Sequence, residues 1–208
     1  MCWKRIQRNF RSQLSWSTSG RTITQYWTSK KSLPPECPID WPIIGNALKS
    51  VPSQRHLWIV KHTSGRSAVG IEMHRRKRWT HSQCPRCSVP LEDSQHVVRC
   101  PDADAVVEWS KSLRKLRLWL LQTTSLELSR ATHRRLSAWH SGIPDHYSST
   151  QYSTLVRQAL EAQDAMGWNL FIDGFISTSW CLAHQGYLSS ISSPASLSRW
   201  GSSLLQQP

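Results

Sequence analysis

Residues 84–122 read CPRCSVPLEDSQHVVRCPDADAVVEWSKSLRKLRLWLLQ, and the two halves of this stretch decide how the chain folds. The first half spells Cys84-x2-Cys87-x8-His96-x3-Cys100, four soft or borderline metal donors within 17 residues. Zn²⁺ takes such a set tetrahedrally: a two-residue gap lets both thiolates of one turn face the ion, and a helical or turn-like His-x3-Cys supplies the other pair. With all four positions filled by protein, none stays open for water or substrate, so the expected Zn²⁺ is structural. A loop this short buries too little apolar surface to hold a shape, which makes metal binding its folding energy. His74 and His81 are nearby rivals as ligands, but neither completes a paired spacing. The competing reading is ordinary thiols or a disulfide framework, since the chain has six Cys. Against it, Cys2, Cys37 and Cys181 are scattered, and the first residues lack the apolar stretch of a secretory signal.

The second half starts a helix. Pro101 suits a first turn, Asp102 and Asp104 suit the positive end of the helix dipole, and Val106, Trp109, Leu113, Leu116 and Leu120 then recur at steps of three and four as one apolar stripe running to about Gln122. A second helix is expected from near Ser125, carrying Leu128, Leu136 and Trp139 and stopping at Gly142-Ile143-Pro144. A third runs from about Thr150 with Leu155, Ala159, Ala162 and Met166 and meets Gly167, read as a kink or stop. The fourth segment, 169–188, is aromatic-rich and helical in tone, its Trp and Phe read as helical core in preference to a base-stacking platform.

Upstream, Leu57-Trp58-Ile59-Val60 is a β-favouring run ending at Ser64-Gly65 and followed by Ala68, Val69 and Ile71, which reads as a short β-hairpin. Pro34, Pro35, Pro38, Pro42 and Pro52 leave residues 33–54 room for little beyond turns and one helical turn at Ile43–Leu48. The expected fold is therefore mainly α: a basic, Pro/Ser-rich arm and linker over 1–54, a hairpin and zinc knuckle over 55–101, about four helices over 102–188, and a Ser-rich tail over 189–208, with arm and tail largely disordered.

Charge is lopsided. The net formal charge is +13, and residues 1–80 carry 15 basic against 3 acidic side chains, so nearly all the excess is N-terminal. A pI of about 10.0 points to a polyanionic partner, nucleic acid first. Arg75, Arg76, Lys77 and Arg78 stand in a row before Trp79, with Lys61 and Arg66 preceding them, a pattern expected to contact phosphates beside one stacking ring. The same run also reads as a solvated loop or a nuclear-import signal. No apolar run approaches the ~20 residues of a membrane span, so nucleus or cytoplasm is expected, without secretion or membrane insertion.

Taken together, Cys84-Pro85-Arg86-Cys87, Glu92-Asp93, His96-Val97-Val98-Arg99-Cys100-Pro101 and the Arg-rich run before Trp79 resemble the zinc-binding module found downstream of the polymerase in reverse transcriptases of non-retroviral retroelements. Lys61 to Gly65, Gly70, the Trp109 helix, Leu136-Ser137-Ala138-Trp139, Gln163 to Trp168, Phe171, Gly174, Ser177, Trp180, Gln185 and Tyr187 extend the likeness to the C-terminal regions of diatom and protist retroelements, over about residues 55–188. Ser88 departs from the glycine usual in such modules. The resemblance implies nucleic acid as partner, RNA before DNA, and a retroelement polymerase as a further one. The chain itself has no Asp-Asp pair and is too short for a polymerase palm.

The leading expectation is thus a zinc-stabilised nucleic-acid-binding module without enzymatic activity. The alternatives are a zinc-stapled adaptor docking partners through Trp-rich helices 150–188, and a non-functional retroelement relic. Acid–base candidates His62, His146, Asp164, Asp173 and His184 are present without a nucleophile, phosphate loop or open metal position beside them.

Overall fold

The computed structural model describes residues 25, 27, 29, 38–143, 145, 151–191 and 197–205. The chain divides into two compact units, Met1–Cys37 and Pro38–Pro208. Of the first, Gln25, Trp27 and Ser29 are helical, and the disorder expected of the basic arm otherwise falls outside the described residues. His146 also lies outside them.

The second unit is mainly α, as its periodicities predict. It contains α1 (Trp41–Ser50), α2 (Ser53–Thr63), α3 (Gly70–Arg75), α4 (Ser94–Arg99), α5 (Ala103–Thr123), α6 (Leu126–Ser141), α7 (Thr154–Met166), α8 (Trp168–Ile172), α9 (Thr178–Ser190) and α10 (Leu197–Leu204). The caps explain most boundaries. Asp102 and Ser125 accept from the backbone N–H of Ala105 and Leu128, closing the starts of α5 and α6, and Gly142 ends α6 in the left-handed region at φ 70°. Leu113 and Leu120 of α5, Leu128 and Leu136 of α6, Leu160 of α7 and Trp180 of α9 meet in one core.

The expected hairpin over 56–71 is not present; α2 and α3 occupy it. Pro52 stands at the N-cap of α2, and the Ser64-Gly65 pair that resembled a hairpin turn is a helix stop. Gly65 has φ 67°, its N–H donates to the His62 carbonyl, and the Arg66 N–H reaches back to Lys61 O, the paired bonds of a Schellman cap. A β-favouring run with no strand to pair with among the described residues satisfies its backbone locally as helix instead. Prolines misled in the same way at α1: Asp40 caps that helix by accepting from Ile43 N at 3.1 Å, and Pro42 sits in its first turn, where a missing N–H costs nothing. Ile43 of α1 is buried against α10, where a Cβ on Gly201 would strike the Ile43 side chain. The tail expected to be disordered therefore includes α10, whose Trp200 and Leu204 are buried in the core.

The aromatic segment 169–188 is broken in two. Gly174, at φ 88°, caps α8 with the same pair of bonds seen at Gly65, from Gly174 N to Phe171 O and from Phe175 N to Leu170 O. Gln163, fully buried, bridges this break: its Nε2 donates to the carbonyls of Gly167 and Phe175, and its Oε1 accepts from Trp180 Nε1 at 3.1 Å. Trp168 Nε1 donates to Asp164 at 2.7 Å. Trp168, Phe171, Phe175 and Trp180 are all buried, so they form core, as their helical spacing predicts, and those rings are not presented to a docking partner.

Candidate metal centre

Cys84, Cys87, His96 and Cys100 converge so that their donor atoms all lie within 4.8 Å of one another, a cluster that could hold a metal ion. The Cys84 and Cys100 sulfurs are 3.9 Å apart, against the ~3.8 Å edge set by a tetrahedral ion with metal–sulfur bonds near 2.3 Å. Cys87 Sγ lies 3.2 Å from His96 Nε2, a few tenths inside the ~3.6 Å such an ion would set between thiolate and imidazole. His74 and His81 stand outside the cluster: His74 Nδ1 is 3.3 Å from Trp79 O, and His81 tilts against the Trp79 ring.

Two backbone bonds shape the Cys-x2-Cys turn, from Ser88 N to Cys84 O and from Cys84 N to Val89 O. The turn forces Ser88 to φ 59°, the left-handed region that glycine adopts without penalty. The second ligand pair sits at α4. Asp93 caps that helix by accepting from the His96 N–H itself at 2.6 Å, and Cys100 follows at i+4, one turn along the same face. Cys84 and Cys100 are buried with Ala105 in a small apolar cluster, while Cys87 and His96 are half-buried. The Val89 backbone N–H holds the Cys87 thiol below its ordinary range, and burial pushes Cys100 up to about 11. A metal ion held here at neutral pH would take Cys100 as thiolate and so release its proton.

The loop is tied on both sides. Its Glu92 is buried, and Glu92 Oε2 accepts from Gly70 N at 2.6 Å, capping α3, while Ile71 N donates to Glu92 O. A Cβ on Gly70 would overlap the Ser82 carbonyl, so only glycine lets the loop backbone pass this close. On the other side, the Arg99 guanidinium of α4 lies over the Trp139 ring of α6 at 5.4 Å.

The cation run occupies the end of α3. Arg66, Arg75 and Arg76 all reach one buried carboxylate, Glu72, at 3.3, 2.7 and 3.3 Å respectively. The Arg75 side-chain hydrogen bond, followed by the charges of all three arginines, holds Glu72 below the usual carboxylate range against the opposing effect of burial. Lys77 has φ 56° and caps α3: its N–H donates to His74 O and the Arg78 N–H to Met73 O, again a Schellman pair, with lysine where glycine is usual. Lys77, Arg78 and Lys61 are exposed, and Trp79 is half-buried. Cations suit a helix C-terminus, so part of this run has a local structural reason.

Among the acid–base candidates, His62 Nε2 is 3.6 Å from Asp173 Oδ1, fastening α2 to the α8–α9 break, Asp164 is held by Trp168 and Arg135, and His184 meets Thr124. No protein-family model, curated protein or solved structure matches this chain. Glu72 escaped sequence reasoning because its partners at i+3 and i+4 face it only on a helix, where a hairpin was expected. Among the described residues, no helix is long and apolar enough to cross a membrane.

Proposed function

We propose that the chain is a zinc-stabilised nucleic-acid-binding module of the kind that accompanies retroelement reverse transcriptases, with RNA as the preferred ligand and no catalytic role. Three thiolates and one imidazole favour Zn²⁺ over harder cations, and four protein donors make the ion a scaffold. The observation that carries the reading is the Glu92–Gly70 bond: it joins the metal loop to the helix that ends at Arg75 and leads into Arg76, Lys77 and Arg78, so that ordering the loop also orders the cations. With Lys61, Arg66 and Trp79 beside them, these groups would hold phosphates and stack on a base.

The test is binding of labelled RNA and DNA by the zinc-loaded full chain across a salt series, beside a variant with residues 75–78 neutralised. Micromolar or tighter binding with a log–log salt slope that flattens in the variant supports the reading. Binding that is absent, or that survives neutralisation, overturns it.

One observation favours a protein-docking adaptor instead. Leu57, Trp58 and Val60 of α2 are 62%, 64% and 56% exposed, three apolar side chains turned to solvent within four residues of one helix. Under that reading, Leu57→Ser with Trp58→Ser removes partner capture and leaves RNA affinity intact.

A further inference from the structure

A buried carboxylate needs one cation to balance it, and Arg75 already supplies that in bidentate form, with Nε on Oε1 at 3.1 Å and Nη2 on Oε2 at 2.7 Å. Arg66 Nη1 and Arg76 Nη2 nevertheless reach the same two oxygens, each at 3.3 Å. Arg76 is fixed further by donating to Arg66 O at 2.9 Å. Three guanidiniums on one carboxylate leave two positive charges in excess at one point. They repel one another, and the surplus is not buried: the Arg66, Arg75 and Arg76 side chains are 45%, 54% and 36% exposed, while Glu72 is 9% exposed. Each guanidinium has five N–H donors, and Glu72 engages two from Arg75 and one each from Arg66 and Arg76, so most donors remain for a ligand on the solvent side. A tetrahedral dispersed anion suits such a set better than a point acceptor does.

We infer that Arg66, Arg75 and Arg76, gathered by Glu72, form a cradle for a single phosphate group of a nucleic-acid strand, with Glu72 as the positioning residue. This rests on the nucleic-acid reading above and makes it more specific. The three arginines act as one unit on one phosphate, and the exposed Lys77 and Arg78 meet its neighbours along the strand. Glu72 lowers the positive charge of the patch yet raises its affinity, because it spends one charge to hold three flexible side chains in place.

That opposition of charge and placement supplies the test. A fluorescein-labelled 20-nucleotide single-stranded RNA is titrated into the zinc-loaded full chain across a salt series. Glu72→Gln adds one positive charge, so simple electrostatics gives tighter binding, whereas loss of the cradle gives roughly 5- to 10-fold weaker binding. Arg75→Lys keeps the charge and removes the fork: affinity should fall by a similar factor while the salt slope barely moves. Lys77→Gln with Arg78→Gln should instead flatten the slope by about 1.4. If Glu72→Gln is misfolded by circular dichroism, Arg75→Lys decides alone. Tighter or unchanged binding in a folded Glu72→Gln, or unchanged binding in Arg75→Lys, overturns the cradle while leaving the nucleic-acid reading in place. No RNA binding by the unsubstituted chain overturns both.

Discussion

Glu92 Oε2 accepts a 2.6 Å hydrogen bond from Gly70 N, across 22 residues of sequence, and through it the metal loop caps the helix that ends in the cation run. Both partners are buried, so the bond has no water to replace it. Glu92→Ala should cost about 1–3 kcal/mol of stability, as expected when a buried helix-capping acceptor is lost. Urea denaturation followed by circular dichroism reads this directly. A cost under about 0.5 kcal/mol, the ordinary range for a surface change, would mean that loop and helix are not coupled.

Metal removal should act on the same unit. The apolar cluster beneath the loop contains little beyond Cys84, Cys100 and Ala105, with Cys87 and Val89 against it, too small a core to keep the four donors together unaided. The expected stoichiometry is one Zn²⁺ per chain, lost in Cys84→Ser or Cys100→Ser. Amide exchange over 70–100 should rise steeply on chelation while α5 to α9 stay protected. Uniform protection with and without chelator would show that the loop folds without metal.

Ser88 offers a change in the opposite direction. It holds φ 59° with no glycine to make that conformation free. Ser88→Gly relieves left-handed strain of about 1 kcal/mol but adds chain entropy to the unfolded state, so the net gain is smaller. Competition against a chromophoric chelator should show Zn²⁺ held up to about 5-fold more tightly. Weaker binding would mean that the turn changes conformation on loading.

How much of this was legible in advance follows from whether a signal is local. The Cys84–Cys100 spacing and the α5 stripe each lie within one short stretch of chain; the four donors converge, and of the stripe Trp109, Leu113, Leu116 and Leu120 pack on the core while Val106 is exposed. The caps at Asp102, Ser125 and Gly142 are equally local. What failed needed distant partners. Nothing near Leu57-Trp58-Ile59-Val60 shows that no strand will pair with it, and nothing near Trp200-Gly201 shows that His184 waits for the first and Ile43 for the second. Prolines and glycines marked boundaries at Pro42, Pro52, Gly65 and Gly167, but as ends of helices and not as replacements for them, while the break at Gly174 was not read. Glu72 was hidden by that same error, since two of its three arginines fall at i+3 and i+4.

Gln163 tests the core. It makes three hydrogen bonds with no exposure, two of them to carbonyls at the α7–α8 and α8–α9 breaks. Gln163→Leu fills a similar volume but removes those bonds: the Trp180 N–H loses its acceptor and the Phe175 carbonyl loses this donor, at roughly 1–3 kcal/mol for each group not rescued by water, while the Gly167 carbonyl keeps the Leu170 N–H. The expected total, about 2–4 kcal/mol, is a large fraction of a domain's stability. A Tm drop of less than about 2 °C would contradict the role.

His184 sets the acid limit. It is 2% exposed, stacked at 4.1 Å on Trp200, and its Nδ1 meets Thr124 Oγ1 at 3.1 Å. Burial lowers its pKa from 6.5 to about 4 in the folded chain. Between those values the unfolded chain binds more protons than the folded one, so stability rises with pH through this window and is complete above the unfolded value. Acidification from pH 6.5 to 4 must therefore destabilise the fold, by somewhat less than about 1.4 kcal/mol per pH unit after solvent screening. Carboxylates such as Glu72 and the metal ligands lose their contributions in acid as well, so the wild-type slope is a sum. The difference from His184→Gln isolates the histidine, because those other groups titrate alike in both proteins. The variant should be less stable at pH 7, where stacking on Trp200 is lost, and should close the gap as the pH falls toward 4. Parallel stability curves over that range would place the protonation of His184 outside the folding equilibrium.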